Sequence, residues 1–490
     1  MIAPDMDFAD LRLLFEPTSI AVIGCSATDS NLGNHVLRAL ARRYQGRLYA
    51  VHPTAAQVDG VPACASIRDI GHVVDYAYIA SAAQTVPAIL RDSAGVLRFA
   101  QVAAAGFGDV GNSVLEDELV EAARRGGIRV VGPNSVGAYC PKGGLTFFDR
   151  APSDAGVVSV VSQSGGVLMD VVALGAARGL RFSRAVSIGN GADLTSLDFM
   201  RYLWEDDPTK AVGLYIENVA DGRAFLASLT RLCARKTVIV LRGGRTKAGG
   251  RAAALHTGAM ATGARLWDSL CMQAGAIVAQ SLEQLVSMLL AAAHTCGPHG
   301  TGRLRHLLLI GPGGGASVLA ADAAASMGFV LPAIPRRELA PAVTSLAGTS
   351  WRNPVDLTTR AFTDQLAGPI TASVMPWLKK ARVGLVVVHC GLHNVAEFGT
   401  TDASRLAGMI GALGGWRDCG PVVALALRCA PDPALDQIRD ILVGTARAQR
   451  IPVFDSTDSV LRAFAPLCGR RNAAPDLPLR ASASLSRRGS

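Results

Sequence analysis

Three segments of this chain repeat one design: an apolar strand, a turn of Gly and Ser, then a helix-length stretch. The first is Ile20-Ala-Val-Ile-Gly-Cys-Ser26, followed by a helix near Asn34 to Arg43. The second is Val157-Val-Ser-Val-Val-Ser-Gln-Ser-Gly-Gly166, followed by Val167 to Arg178. The third is His306-Leu-Leu-Leu-Ile-Gly-Pro-Gly-Gly-Gly315, followed by Ala316 to Met327. Their starts lie about 140–150 residues apart in a chain of 490, which is the spacing of ordinary domains. Each opens a run of short apolar strands alternating with helix-length segments. In the first module the strands are Arg47–Val51, Val74–Ile79, Phe99–Ala103 and Arg129–Val131. Such alternation means βαβ units, hence a parallel sheet with helices on both faces. The predicted architecture is α/β: three doubly wound domains over residues 1–150, 151–300 and 301–468, then a flexible basic tail, 469–490. The linkers expected are Pro141 to Gly156 and Cys296 to Gly302, both rich in Gly and Pro.

Composition narrows the function classes. The chain is 50% hydrophobic and 18% charged, as globular proteins are. No apolar run approaches the ~18 residues of a membrane span. The acid-bearing N-terminus MIAPDMDFADLR lacks the pattern of a signal peptide. Ten Cys are scattered without a CxxC pair, so free thiols and a cytoplasmic location are expected. The net charge is +9, of which the tail carries +4 through Arg470, Arg471, Arg480, Arg487 and Arg488 against Asp476. The body gives no reason to invoke nucleic acid, and it suits a small anionic ligand.

Strand–turn–helix units place ligands at the C-terminal ends of their strands, where the helix N-terminus offers free N–H groups to an anion. A dinucleotide is disfavoured. The first turn, Gly24 to Gly33, lacks G-x-G-x-x-G spacing, and no acid follows the second strand at Val51-His-Pro-Thr54. In the third domain the expected second strand, Phe329-Val-Leu-Pro-Ala, lacks the acid too. Gly243-Gly-Arg-Thr-Lys247 is not a Walker A sequence.

The first domain resembles the CoA-binding domain of the NDP-forming (ADP-forming) acyl-CoA synthetases, relatives of succinyl-CoA synthetase. The resemblance rests on Ala21-Val-Ile-Gly-Cys-Ser26, His52-Pro53, Ala105-Gly-Phe-Gly-Asp-Val-Gly111 and Val131-Gly-Pro-Asn-Ser-Val-Gly137. It implies a Rossmann-like CoA-binding domain followed by two flavodoxin-like ligase domains. It implies further that Gly24 and Ser26 approach the CoA phosphates, that Pro53 and Ala80 line the nucleotide part, and that Asn134 sits near the thiol end. Relatives often have Asn-Pro-Lys where this chain has His52-Pro53-Thr54, and Glu where it has Asp109.

Among nine His, His256 stands out by its setting. A strand, Lys236 to Leu241, runs into a stretch of Gly, Ala, Arg and Lys that ends His256-Thr-Gly-Ala-Met-Ala-Thr-Gly263. Small residues let such a loop move, and its cations attract phosphate. Neutral imidazole can carry a phosphoryl group when a partner fixes its tautomer. The segment is similar to the family's phosphohistidine loop, with Leu255, Met260 and Thr262 replacing its usual Ser, Leu and Gly. By the same resemblance Ser162, Ser164, Gly165 and Gly166 form the phosphate-binding loop, and Glu217 orients the histidine. Arg352-Asn-Pro-Val-Asp-Leu-Thr358 is similar to a segment of the family's C-terminal domain.

No stretch is left for an ATP-grasp domain, so the chain looks like the α-type subunit. The resemblance then implies acyl-CoA + ADP + phosphate ⇌ carboxylic acid + ATP + CoA, through phosphohistidine and acyl phosphate. CoA would bind here, and ATP or ADP with Mg²⁺ through an ATP-grasp β-type partner in an oligomer. No metal site is expected in this chain. Two alternatives stay open: a CoA-binding regulatory or scaffold protein without catalysis, and an ATP-independent acyl- or carbamoyl-transferase component.

Overall fold

The computed structural model describes residues 8–251, 264–295, 303–339, 347–362 and 364–469. They form three sheets, each flanked by helices. The first sheet contains β1 (Ser19–Ile23), β2 (Arg47–Val51), β3 (Gln57–Val58), β4 (Val61–Cys64), β5 (Val74–Ile79), β6 (Leu97–Val102) and β7 (Arg129–Val131). Its order is β3-β4-β2-β1-β5-β6-β7, parallel except for the β3–β4 hairpin. The second contains β8 (Ala138–Tyr139), β9 (Val158–Ser162), β10 (Phe182–Ser187), β11 (Ala211–Ile216), β12 (Thr237–Arg242) and β13 (Ile277–Ala279), in the order β13-β12-β11-β9-β10-β8. The third contains β14 (Leu307–Pro312), β15 (Val355–Leu357), β16 (Leu385–Gly391), β17 (Val422–Arg428) and β18 (Val453–Phe454), in the order β15-β14-β16-β17-β18. All three are doubly wound, as the alternation of strands and helices predicts.

Strand periodicity explains why both faces are covered. Successive side chains point to opposite faces. Ile20 and Val22 enter one core while Ala21 and Ile23 enter the other. Leu307 and Leu309 likewise oppose Leu308 and Ile310. One continuous core joins the three units, because the helices Leu282–Thr295 and Thr457–Phe464 pack together between the second and third sheets.

Two local readings change. Phe329 to Ala333 is not the third sheet's second strand: Val330 makes only an isolated bridge to His306, and Pro332 offers no N–H to a ladder. Beside β14 lie β16 on one side and, on the other, β15, within the Arg352-to-Thr358 segment. Pro141 to Gly156, expected as a linker, is packed: Leu145 and Ala151 are buried, and Arg43 donates to the carbonyls of Asp149 and Ala151. Cys296 to Gly302 lies outside the described residues. Among the described residues nine cysteines are free thiols, and no helix is long and apolar enough to cross a membrane.

Candidate functional site

In a doubly wound sheet the ligand crevice opens where the strand order reverses. In the first sheet that point lies between β1 and β5, and it joins Gly24 to Ala80. Gly24 has φ +93°, and a Cβ there would stand 2.6 Å from the Ala80 carbonyl oxygen. Only glycine fits, by conformation and by space. Gly33, in the first turn of the helix Leu32–Ala41, is equally confined: its Cβ would meet the Gly24 oxygen at 2.9 Å. The Ser26 N–H donates to Asn34 Oδ1 at 2.8 Å, and its hydroxyl accepts from the N–H groups of Thr28 and Asp29. The hydroxyl therefore shapes the turn. Pro53 is exposed beyond β2, where His52 Nδ1 accepts from the Ala55 N–H. Burial pushes the Cys25 thiol up to about 12, helped by Asp59, so it is no nucleophile at neutral pH.

The second sheet reverses between β9 and β11. Ser162 is buried, with its hydroxyl bonded to the N–H and carbonyl of Ser164. Ser164 caps the helix Gly165–Ala177 by accepting from the Val167 N–H. The first N–H groups of that helix, at Gly165 and Gly166, point to no helical acceptor and suit an anion. Glu217 follows β11, beside that turn and outside the lining of the cleft. Its Oε1 accepts from the Tyr215 hydroxyl at 2.9 Å, and its N–H donates to Gln163 Oε1. Gln163 also brackets Asn218, accepting from its N–H and donating to its carbonyl. Burial, then the Glu217 charge, pushes the Tyr215 phenol up, so it remains a hydrogen-bond donor. Gly243, just past β12, lies against this pair; a Cβ would meet the Tyr215 oxygen at 2.6 Å.

The two crevices share an edge. Asn134, at φ +58°, follows the cis Gly132–Pro133 bond after β7. With Val136, Phe147, Gln163, Ser164, Gly165 and Gly166 it lines one cleft of about 330 Å³. A second-domain loop holds the domains in this register. Asn190 donates to the Glu116 and Asp109 carboxylates, and Asp193 receives Arg129 and the Val130 N–H. Gly189 fits only without a side chain, since a Cβ would lie 2.1 Å from the Pro133 carbonyl. Asp109 also accepts the Gly106 and Phe107 N–H groups; these bonds and Asn190 hold its carboxyl low against the opposing effect of burial.

Gly165 is the tightest point of the cleft. A Cβ there would stand 2.4 Å from the Val136 Cγ1. Gly165→Ala is therefore expected to cost about 1–3 kcal/mol through overpacking. Denaturant unfolding of the variant measures it, and an unchanged midpoint would mean that Val136 swings away freely.

The third Gly-rich turn is filled from within. The Asp356 carboxylate accepts the Gly313 N–H at 3.0 Å and lies 3.0 Å from where a Gly314 Cβ would be. An anion there would displace or oppose that carboxylate. The crevice beside it holds His389, hydrogen-bonded to Ser317; burial, then Arg428, pushes its imidazole down to about 4.

His256 lies outside the described residues. The chain on either side of its segment is anchored at one place. Arg245 bridges to Asp268 at 2.8 Å, and Arg242 lies over the Trp267 ring at 4.9 Å. The stretch after β12 is not all loop: residues 247–251 are helical, with Thr246 accepting from the Gly249 N–H. Sequence reasoning quoted Gln163 and Val136 within motifs but gave them no role. It passed over Phe147 and Met169, because an apolar side chain carries no motif signal until its neighbours are known.

Family models agree with this layout. A CoA binding domain matches residues 18–141, and a succinyl-CoA ligase like flavodoxin domain matches residues 155–292. The chain is 34% identical over 327 residues to the ADP-forming acetate–CoA ligase I of Archaeoglobus fulgidus, covering 66% of this chain but 46% of that protein. It thus spans about half the length of such relatives. It is 31% identical over 422 residues to the ADP-forming acetate–CoA ligase II subunit alpha of Pyrococcus furiosus, covering 85% of this chain and 89% of that subunit. The dinucleotide forming acetyl-coenzyme A synthetase 1 of Ca. Korarchaeum cryptofilum, solved with phosphate and ADP, superposes with a TM-score of 0.79 at 29% identity, over 93% of this chain and 96% of that one. With a shared cleft between its first two domains and an α subunit matched along nearly its whole length, this chain belongs to the ADP-forming acetate–CoA ligase family.

Proposed function

We propose that this chain is the α-type part of an ADP-forming acyl-CoA synthetase, acting in the cytoplasm with an ATP-grasp β-type partner. One observation carries the reading. The thiol-end loop at Asn134 and the phosphate-binding helix start at Ser164–Gly166 line the same cleft, with Glu217 held behind it by Gln163. The Gly24–Ala80 contact, which any Cβ would fill, fits close approach of CoA to bare backbone. Gly24, Ser26, Pro53 and Ala80 would hold the nucleotide end of CoA, and Asn134 the thiol end.

In the synthetic direction His256 takes the γ-phosphoryl of ATP at the partner's nucleotide site, where Mg²⁺ belongs. It passes the group to the carboxylate of the acid, giving an acyl phosphate. The CoA thiol attacks the acyl carbon, phosphate leaves, and the thioester remains. Gly165 and Gly166 N–H groups neutralise the phosphate where it is held and released. Glu217 acts on the imidazole N–H, keeping the opposite nitrogen free to accept phosphoryl. Residues 1–150 would then hold CoA, 151–300 carry the phosphoryl group, and 301–468 serve assembly.

Glu217→Gln tests the positioning role. The amide keeps the shape and can still accept from Tyr215, but the charge is gone. Labelling from γ-labelled ATP is expected to slow by about 10²- to 10⁴-fold, while CoA binding and the unfolding midpoint stay put. An unaltered labelling rate would remove Glu217 from the mechanism.

A further inference from the structure

We infer that the acid activated at this cleft is an apolar monocarboxylate larger than acetate, seated on Val136, Phe147 and Met169. The inference rests on the ligase reading above. The cleft has two chemically different sides. One is the anion site formed by Ser164 and the Gly165 and Gly166 N–H groups, with Asn134 opposite. The other is apolar: Val136 pressed onto Gly165, Phe147 packed on Gly137, and Met169 one helical turn below the anion site. Met169 is 41% exposed and Leu32, on the facing helix, 52%. Large side chains left half-open beside a reaction site mark a surface waiting to be covered.

Charge decides the class of acid. Among the described residues no Asp, Glu, Lys, Arg or His lines the cleft. The carboxylate that reacts is served by the helix N-terminus. A second carboxylate would be carried onto Val136 and Met169, where no cation among the described lining residues meets it, and burying an unpaired charge is strongly unfavourable. A methyl-ended chain meets only carbon and sulfur there. Acetate reaches the anion site but leaves the apolar wall uncovered.

Butyryl-CoA and succinyl-CoA make a matched pair, with equal chain length and a terminal methyl or carboxylate. Calorimetric titration of the full chain with CoA, acetyl-CoA, butyryl-CoA and succinyl-CoA needs no partner subunit. Each buried methylene contributes roughly a fourfold gain in affinity. Butyryl-CoA is therefore expected to bind roughly 16-fold tighter than acetyl-CoA, and succinyl-CoA at least about 10-fold weaker than butyryl-CoA. Met169→Lys, on a half-exposed helix position that tolerates a long side chain, should reverse the second preference. Acetyl-CoA and butyryl-CoA binding alike, or succinyl-CoA binding as well as butyryl-CoA, overturns the inference while CoA binding keeps the ligase reading intact. Failure of CoA and every thioester to bind overturns both.

Discussion

Replacing His256 by Ala should abolish phosphoryl transfer, with a loss on the order of 10⁴-fold or more, as when a covalent nucleophile is removed elsewhere. The experiment incubates the tagged chain with γ-labelled ATP in an extract of its source, which supplies the partner. Wild-type protein should acquire an acid-labile, alkali-stable label, and the variant none. CoA should still bind the variant, because the Gly24–Ala80 contact lies in a different domain from residue 256. Equal labelling of both proteins would dismiss His256 as the carrier. Absence of label from wild type, with CoA bound, would turn the argument toward a CoA-binding scaffold or an ATP-independent transferase.

Arg184→Met should destabilise the chain by about 3–5 kcal/mol, the cost of leaving a buried charge uncompensated. Arg184 is 3% exposed on β10. Its guanidinium lies 2.8 Å from Glu16 and 3.2 Å from Asp206, and its Nε donates to the Tyr202 hydroxyl at 2.7 Å. It also sits near the rings of Phe15 and Tyr202. Methionine would preserve much of the volume and leave the buried Asp206 carboxylate without its ion-pair partner, while Glu16 would keep Arg12 and Lys142. Urea unfolding measures the loss. Adding Asp206→Asn should recover part of it. A loss under about 1 kcal/mol would mean that water reaches the site and screens Asp206.

These two tests also separate what was readable in advance from what was not. The histidine segment is conspicuous in one dimension: a strand, small residues, cations and His256 in order. The Arg184 cluster is invisible there, since Arg184, Glu16 and Asp206 are separated by long stretches of chain and belong to no motif. The serines of Val161-Ser-Gln-Ser164 drew attention as phosphate ligands, yet their hydroxyls bond within the turn. Gln163 between them reaches Glu217. Side-chain type indicated a polar turn, but its direction depended on β11 lying alongside β9.

The amino-acid sequence by itself determined the three doubly wound sheets and the Gly turns at their strand ends. Strand and helix periods are local, and a glycine forced by backbone conformation is local too. Tertiary structure decided which turns are open and what surrounds them. Asp356 fills the third turn from 43 residues away. The cleft at the second is walled by Leu32, Val136, Phe147 and Met169, which meet only when Gly189 lets one domain close on the next. Contacts between such distant residues depend on the packing of both partners at once, and no period along the chain encodes them.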